Sequence, residues 1–169
     1  VTTITEGALA FDFPEGWHAA KYDKWIFYLN HFQNVFGGAK GVDILAINPN
    51  RHLWLIEVKD YRARPRQKAR QLVEEVAIKV RDSLAGLAAA RLRATDSDEV
   101  KMANRALSCR DMKVVLHLEQ PIKPTRLHPI EDVSKLIQKL KQLLRAIDFH
   151  PRVTNRSEGN QFGWEVREV

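Results

Sequence analysis

Leu53-Trp54-Leu55-Ile56-Glu57-Val58-Lys59 is the stretch on which the fold turns. In an extended chain successive side chains take opposite faces, so Leu53, Leu55, Glu57 and Lys59 share one side and Trp54, Ile56 and Val58 the other. Both sides begin apolar, which marks a central strand covered on both faces. At its end the strand projects a carboxylate and an ammonium in the same direction, about 7 Å apart along the backbone. Burying such a pair costs free energy unless something compensates it. A local departure of this kind is where function is expected.

Working outward, a second strand-like run, Val42 to Ile47, precedes this one, and Asn48-Pro49-Asn50-Arg51 separates the two as a turn. If Pro49, Asn50 and Arg51 form the hairpin loop, residue 48 faces 52, residue 47 faces 53, and Asp43 stands opposite Glu57, with Cβ atoms roughly 5 Å apart. A slip of two residues leaves Asp43 diagonal to Glu57; a slip of one turns it to the other face. Two carboxylates that close repel, and a divalent cation between them converts repulsion into coordination. Hard oxygen ligands without a cysteine or histidine cluster favour Mg²⁺ or Mn²⁺ over zinc. Such a metal polarises a phosphoryl oxygen and acidifies its bound water, and Lys59 beside it can orient that water or neutralise transition-state charge. The chemistry expected from these parts is phosphodiester hydrolysis.

The remainder of the chain reads as alternating helices and strands. Tyr22, Trp25, Ile26, Leu29, Phe32 and Phe36 recur at helical spacing and predict a core helix over residues 17 to about 36, with His18 on its apolar face and Gly37, Gly38 and Gly41 breaking it. A long helix is expected after Pro65, with Leu72, Val73, Val76, Val80, Leu84 and Leu87 as its stripe, running to about Arg93. Residues 94 to 110 read as a loop or a short helix carrying Met102, Ala106 and Leu107. Lys113 to Leu118 is a buried-strand candidate, and Pro129 opens a helix whose apolar face includes Val133, Leu136, Leu140 and Leu144. After Pro151 a hairpin is expected, closing on Trp164 to Val169, while the first few residues give no reading. No internal repeat or linker divides the chain, so residues 1–169 are expected to form one mixed α/β domain.

Of the 169 residues, 44% are hydrophobic and 28% charged, enough apolar material for a sizeable core. There is no run of eighteen apolar residues and no secretory-signal pattern, so no membrane association is expected. Cys109 is the only cysteine, which excludes an internal disulfide and a Cys-rich zinc site and points to the cytoplasm. The net charge of +6 and pI near 9.6 favour a polyanionic partner. Arg62, Arg64, Arg66, Lys68 and Arg70 fall within nine residues free of acid and concentrate that charge. The six histidines show no ligand spacing, no Gly-x-Ser-x-Gly occurs, and Trp25, Phe27, Tyr28 and Phe32 read as packing rather than as a stacking platform.

Gly41-Val42-Asp43, thirteen residues, then Glu57-Val58-Lys59 resembles the signature of the PD-(D/E)XK nuclease superfamily, over a core from about residue 17 to 118. The text Ile56-Glu57-Val58-Lys59-Asp60-Tyr61-Arg62 is also similar to its nuclease-related and restriction-endonuclease-like branches. The resemblance implies a restriction-endonuclease-like core: a central mixed sheet flanked by helices in the order helix, strands, helix, strand, with an added C-terminal helix and strand. It places a strand within residues 35 to 40, between the first helix and Val42. It also implies that Asp43 and Glu57 bind the metal, that the carbonyl of Val58 joins them, and that Lys59 is catalytic. Asp23 is the candidate for a further acid contributed by the first helix. The function expected is a Mg²⁺-dependent nuclease, a hydrolase acting on DNA, with Arg62, Arg64, Arg66 and Lys68 holding phosphates; a homodimer or another protein partner is left open. The alternative is a non-catalytic nucleic-acid-binding or assembly module that retains the nuclease fold.

Overall fold

The alternation in residues 53 to 59 is realised as a strand between two cores. The computed structural model describes residues 1–63, 71–158 and 161–169. Its strands are β1 (Thr2–Glu6), β2 (Leu9–Phe13), β3 (His18–Lys21), β4 (Ile44–Ile47), β5 (His52–Asp60), β6 (Asp111–Glu119), β7 (Arg152–Thr154) and β8 (Glu165–Glu168). Its helices are α1 (Ile26–Asn30), α2 (Leu72–Arg93), α3 (Ser97–Leu107) and α4 (Val133–Leu144). A five-stranded sheet runs β3-β4-β5-β6-β7, antiparallel from β3 to β5 and parallel from β5 to β7. A three-stranded sheet, β1-β2-β8, is antiparallel throughout. This is an α/β architecture with a mixed sheet.

Leu53 and Leu55 enter one core, shared with Val76, Val80 and Leu87 of α2, Met102 of α3 and Leu140 of α4. Trp54, Ile56 and Val58 enter the other, with Phe11 and Phe13 of β2, Val115 of β6, and Trp164. The helices thus cover one face of the large sheet and the small sheet covers the other. Asp96 starts α3 by accepting the N–H groups of Asp98 and Glu99, and Asp132 starts α4 by accepting those of Ser134 and Lys135. Glu99 in turn accepts the N–H groups of Ile26 and Phe27 at the start of α1, so α3 caps α1 through one side chain.

Three expectations require correction. Residues 17 to 36 are not one helix: β3 is followed by a 3-10 turn at Tyr22–Lys24, the short α1, and a second 3-10 turn at Phe32–Asn34. Their apolar spacing is satisfied by separate turns packing Tyr22, Trp25 and Phe27 inward, while Ile26 and Phe36 are exposed. His18 lies on β3 opposite Ile47 and is exposed. The strand expected within residues 35 to 40 is absent there; β3, upstream of α1, fills the place beside β4. The C-terminal segment is not a hairpin either, since β7 joins β6 in parallel whereas β8 crosses to pair with β2. Residues 1 to 13, which the sequence left unread, form the β1-β2 hairpin that makes this second sheet possible. No described helix is long and apolar enough to cross a membrane.

Candidate functional site

The β4-β5 register is the one the hairpin loop dictates: Ile44 faces Ile56 and Ile47 faces Leu53. Continued one residue beyond β4, it brings Asp43 to Glu57. Asp43 prolongs the pairing with its side chain, its Oδ2 accepting the N–H of Val58 at 2.7 Å, while its carbonyl accepts the N–H of Tyr22 at 3.0 Å. Val58 is itself buried, its side chain in the core facing the small sheet.

Helix α2 closes the site from above with residues four apart. Glu75, Lys79 and Ser83 form a polar file inside its buried stripe, because positions four apart stack on one helix face. Ser83 Oγ accepts the N–H of Val42 at 2.9 Å and so fixes the entry to β4. Lys79 Nζ lies 2.6 Å from Glu57 Oε1 and 3.4 Å from Asp43 Oδ1. Lys59 Nζ lies 2.7 Å from the same Glu57 oxygen and 3.1 Å from Glu75 Oε1. The position between Asp43 and Glu57 that the sequence assigned to a cation is therefore spanned by the ammonium of Lys79. Lys79 and Glu75 went unread in the sequence, although two charged residues set among Leu72, Val76 and Val80 were a visible interruption of an apolar stripe.

Glu57 is fully buried and its second oxygen, Oε2, has no hydrogen-bond partner among the described residues. Burial first, and then the charge of Asp43, push its carboxyl up to about 7, against the opposing pull of Lys79 and Lys59. Burial alone would lower Lys59, but Glu57, Glu75 and Asp43 outweigh it and hold that ammonium above its ordinary range. Lys79 behaves likewise, burial being outweighed by Glu57 and Asp43. Both lysines are thus held protonated, as electrostatic partners rather than bases.

On its other side Asp43 meets two further acids. Carboxylate oxygens of Glu6, Asp23 and Asp43 lie within 4.8 Å of one another, brought from the end of β1, the 3-10 turn and the start of β4. Lys21 pairs with Glu6 at 2.8 Å. Asp23 Oδ1 is buried without a partner among the described residues, and burial, then Asp43 and Glu6, raise that carboxyl above its usual range. Hard carboxylate oxygens from three elements are a donor set suited to Mg²⁺ or Mn²⁺. Glu6 escaped the sequence reading because nothing local connects it to Asp43; only the β1-β2 hairpin brings it there.

The basic segment divides. The guanidinium of Arg62 donates to Asp60 Oδ1 at 2.9 Å, to Asp60 Oδ2 at 2.7 Å and to Glu168 at 2.6 Å. These ion pairs clasp the end of β5 to β8. Arg64, Arg66 and Lys68 lie outside the described residues.

Comparison with known proteins bears on what this centre serves. The chain is 33% identical, over 185 residues, to a protein of Neisseria meningitidis serogroup A named cysteine–tRNA ligase. The match takes in 92% of this chain but 26% of the ligase, so the chain spans about a quarter of that protein's length. No family model matches the chain, and no solved structure matches it. This corrects the functional expectation. The relative is named a ligase, so a PD-(D/E)XK assignment, a DNA-cutting hydrolase and the alternative of a binding module retaining the nuclease fold are all set aside. The ionic centre stands as geometry in need of another role.

Proposed function

We propose that the chain engages tRNA in the service of its charging with an amino acid, and that the carboxylate centre holds a divalent cation that stabilises the tRNA-binding form. The observation carrying the first part is the similarity to a cysteine–tRNA ligase along nearly the whole chain. The net charge of +6 suits a polyphosphate partner, and Arg64, Arg66 and Lys68 are the residues proposed to meet phosphates. The chain matches about a quarter of the ligase, and the role proposed for it is an accessory one in charging rather than the joining step itself.

The cation, Mg²⁺ or Mn²⁺, is assigned to Asp43, Asp23 and Glu6, whose carboxylate oxygens gather on the side of Asp43 away from Glu57. In this role Lys59 and Lys79 neutralise the buried Glu57, so that a bound cation can be balanced by the other three acids. The experiment is a titration of labelled tRNA with the protein, with and without Mg²⁺, against duplex DNA as competitor. Saturable tRNA binding that DNA displaces poorly is expected. Equal displacement by DNA, or no binding, would contradict the reading.

A further inference from the structure

At the opposite edge of the large sheet, where the parallel strands begin, a cleft of about 390 Å³ opens beside Trp54, Phe162, Lys113, His150 and Arg152. Its size lies within the range of small-molecule sites, roughly 300–1,000 Å³. The strand register builds it. Trp54 of β5 pairs with Lys113 of β6, and Arg152 of β7 pairs with Val115, so the three side chains share one face of the sheet. The aromatic wall is continuous: the Phe162 ring lies 5.5 Å from that of Trp54, and Trp164 backs both at 5.3 and 5.1 Å.

Two features of the wall point to an occupant. The indole N–H of Trp54 is buried without a hydrogen-bond partner among the described residues, in a side chain about nine-tenths buried. A buried orphan donor is costly, and an acceptor brought by a ligand would satisfy it. Beside it stand the cations Lys113 and Arg152. Lys113 pairs with Asp111 at 2.7 Å and keeps further donors, whereas the acid in the cleft, Asp148, has both oxygens committed to the N–H groups of Val114 and His150. The wall therefore offers the Phe162 ring, one unpartnered donor and two cations, Lys113 and Arg152, which face the acids Asp111 and Asp148.

We propose that this cleft binds one unpaired nucleotide, its base against Phe162 with an acceptor toward the Trp54 N–H, and its phosphate at Lys113 and Arg152. The base-stacking platform lies here, in residues distant in sequence, rather than on the first helical segment. A free nucleotide and an unpaired position of an RNA share this chemistry; the RNA source rests on the tRNA reading above.

The test uses the full chain and follows tryptophan fluorescence on addition of AMP or CMP up to about 10 mM, beyond the weak end of specific binding. Cytidine and inorganic phosphate serve as partial ligands, and labelled tRNA is titrated in parallel. Phe162→Leu keeps an apolar filler but removes the ring. It should weaken nucleotide binding at least fivefold, in line with the usual contribution of one stacked base. Arg152→Ala should weaken the nucleotide but not cytidine. If tRNA affinity falls with the same variants, the RNA strand is the source; if only the mononucleotide is affected, a free nucleotide is. Inorganic phosphate binding as tightly as CMP would overturn the proposal. So would the absence of mononucleotide binding together with tRNA affinity unchanged in Phe162→Leu, an outcome that leaves the tRNA reading intact. Mononucleotide binding in a protein that ignores tRNA would uphold the cleft and remove the tRNA reading.

Discussion

At the scale of single residues, Glu57 organises the centre because it is fully buried and meets both Lys59 and Lys79. A carboxyl raised from 4.5 to about 7 is protonated more readily in the folded chain than in the unfolded one. The folded state then holds more protons between those two values, so stability contributed by this group is greatest below pH 4.5 and falls as pH rises toward 7. The full effect is on the order of 3 kcal/mol. Denaturant unfolding of Glu57→Gln should therefore show a flatter pH dependence than the wild type between pH 5 and 7; parallel curves would contradict it. Lys79 opposes the shift, so Lys79→Met should move the Glu57 midpoint, followed by carbon NMR, further above 7. A midpoint left unchanged would mean that the ammonium does not sit where Asp43 and Glu57 meet. Divalent cation bound by Asp43, Asp23 and Glu6 should be lost in both Asp43→Ala and Asp23→Ala by calorimetry, and retained heat in both would remove that site. Asp43 opposite Glu57 was readable because a short hairpin fixes its own register. Lys79 and Glu6 were not, since they reach the site through helix docking and through a separate sheet.

At the scale of elements, the packing of α2 on the segment after β3 depends on a missing side chain. A Cβ at Gly86 would lie 2.0 Å from the Tyr22 hydroxyl and 3.1 Å from the Phe32 ring. Tyr22 is almost wholly buried and packs on Trp25 and Tyr28, so it cannot swing away. Alanine gains about 1 kcal/mol of helix propensity over glycine, but overpacking costs about 1–3 kcal/mol. Gly86→Ala should accordingly lower the thermal midpoint by several degrees, and an unchanged or raised midpoint would contradict this contact. The same docking explains why the first helix was overread. Periodicity detects which residues turn inward, but not that residues 18–21 form β3 ahead of them and that Glu99 restarts the chain at Ile26. Strands β5 and β6 and helix α4 were legible because each pattern is satisfied within its own element. The C-terminal hairpin was not, because β7 and β8 pair with strands far away in sequence.

At the scale of the molecule, the two candidate sites lie on opposite faces of the large sheet. The ionic centre lies under α2 near the C-terminal end of β5, and the aromatic cleft lies at the other edge on the opposite face. Composition favours a polyanionic partner, since the net charge is +6. It could not name the partner, and the local spacing of Asp43, Glu57 and Lys59 suggested a chemistry that the cysteine–tRNA ligase relative overturns. A spacing specifies where charges meet; what they serve depends on the rest of the protein. The most direct measurement of the central claim is the affinity of the protein for tRNA across about 50 to 200 mM salt, where released counterions report the phosphates contacted. The expected result is saturable binding whose logarithm falls linearly with that of salt concentration, with a slope reduced when Arg64, Arg66 and Lys68 are replaced by alanine. Binding that is absent, or indifferent to salt and to those substitutions, would contradict it.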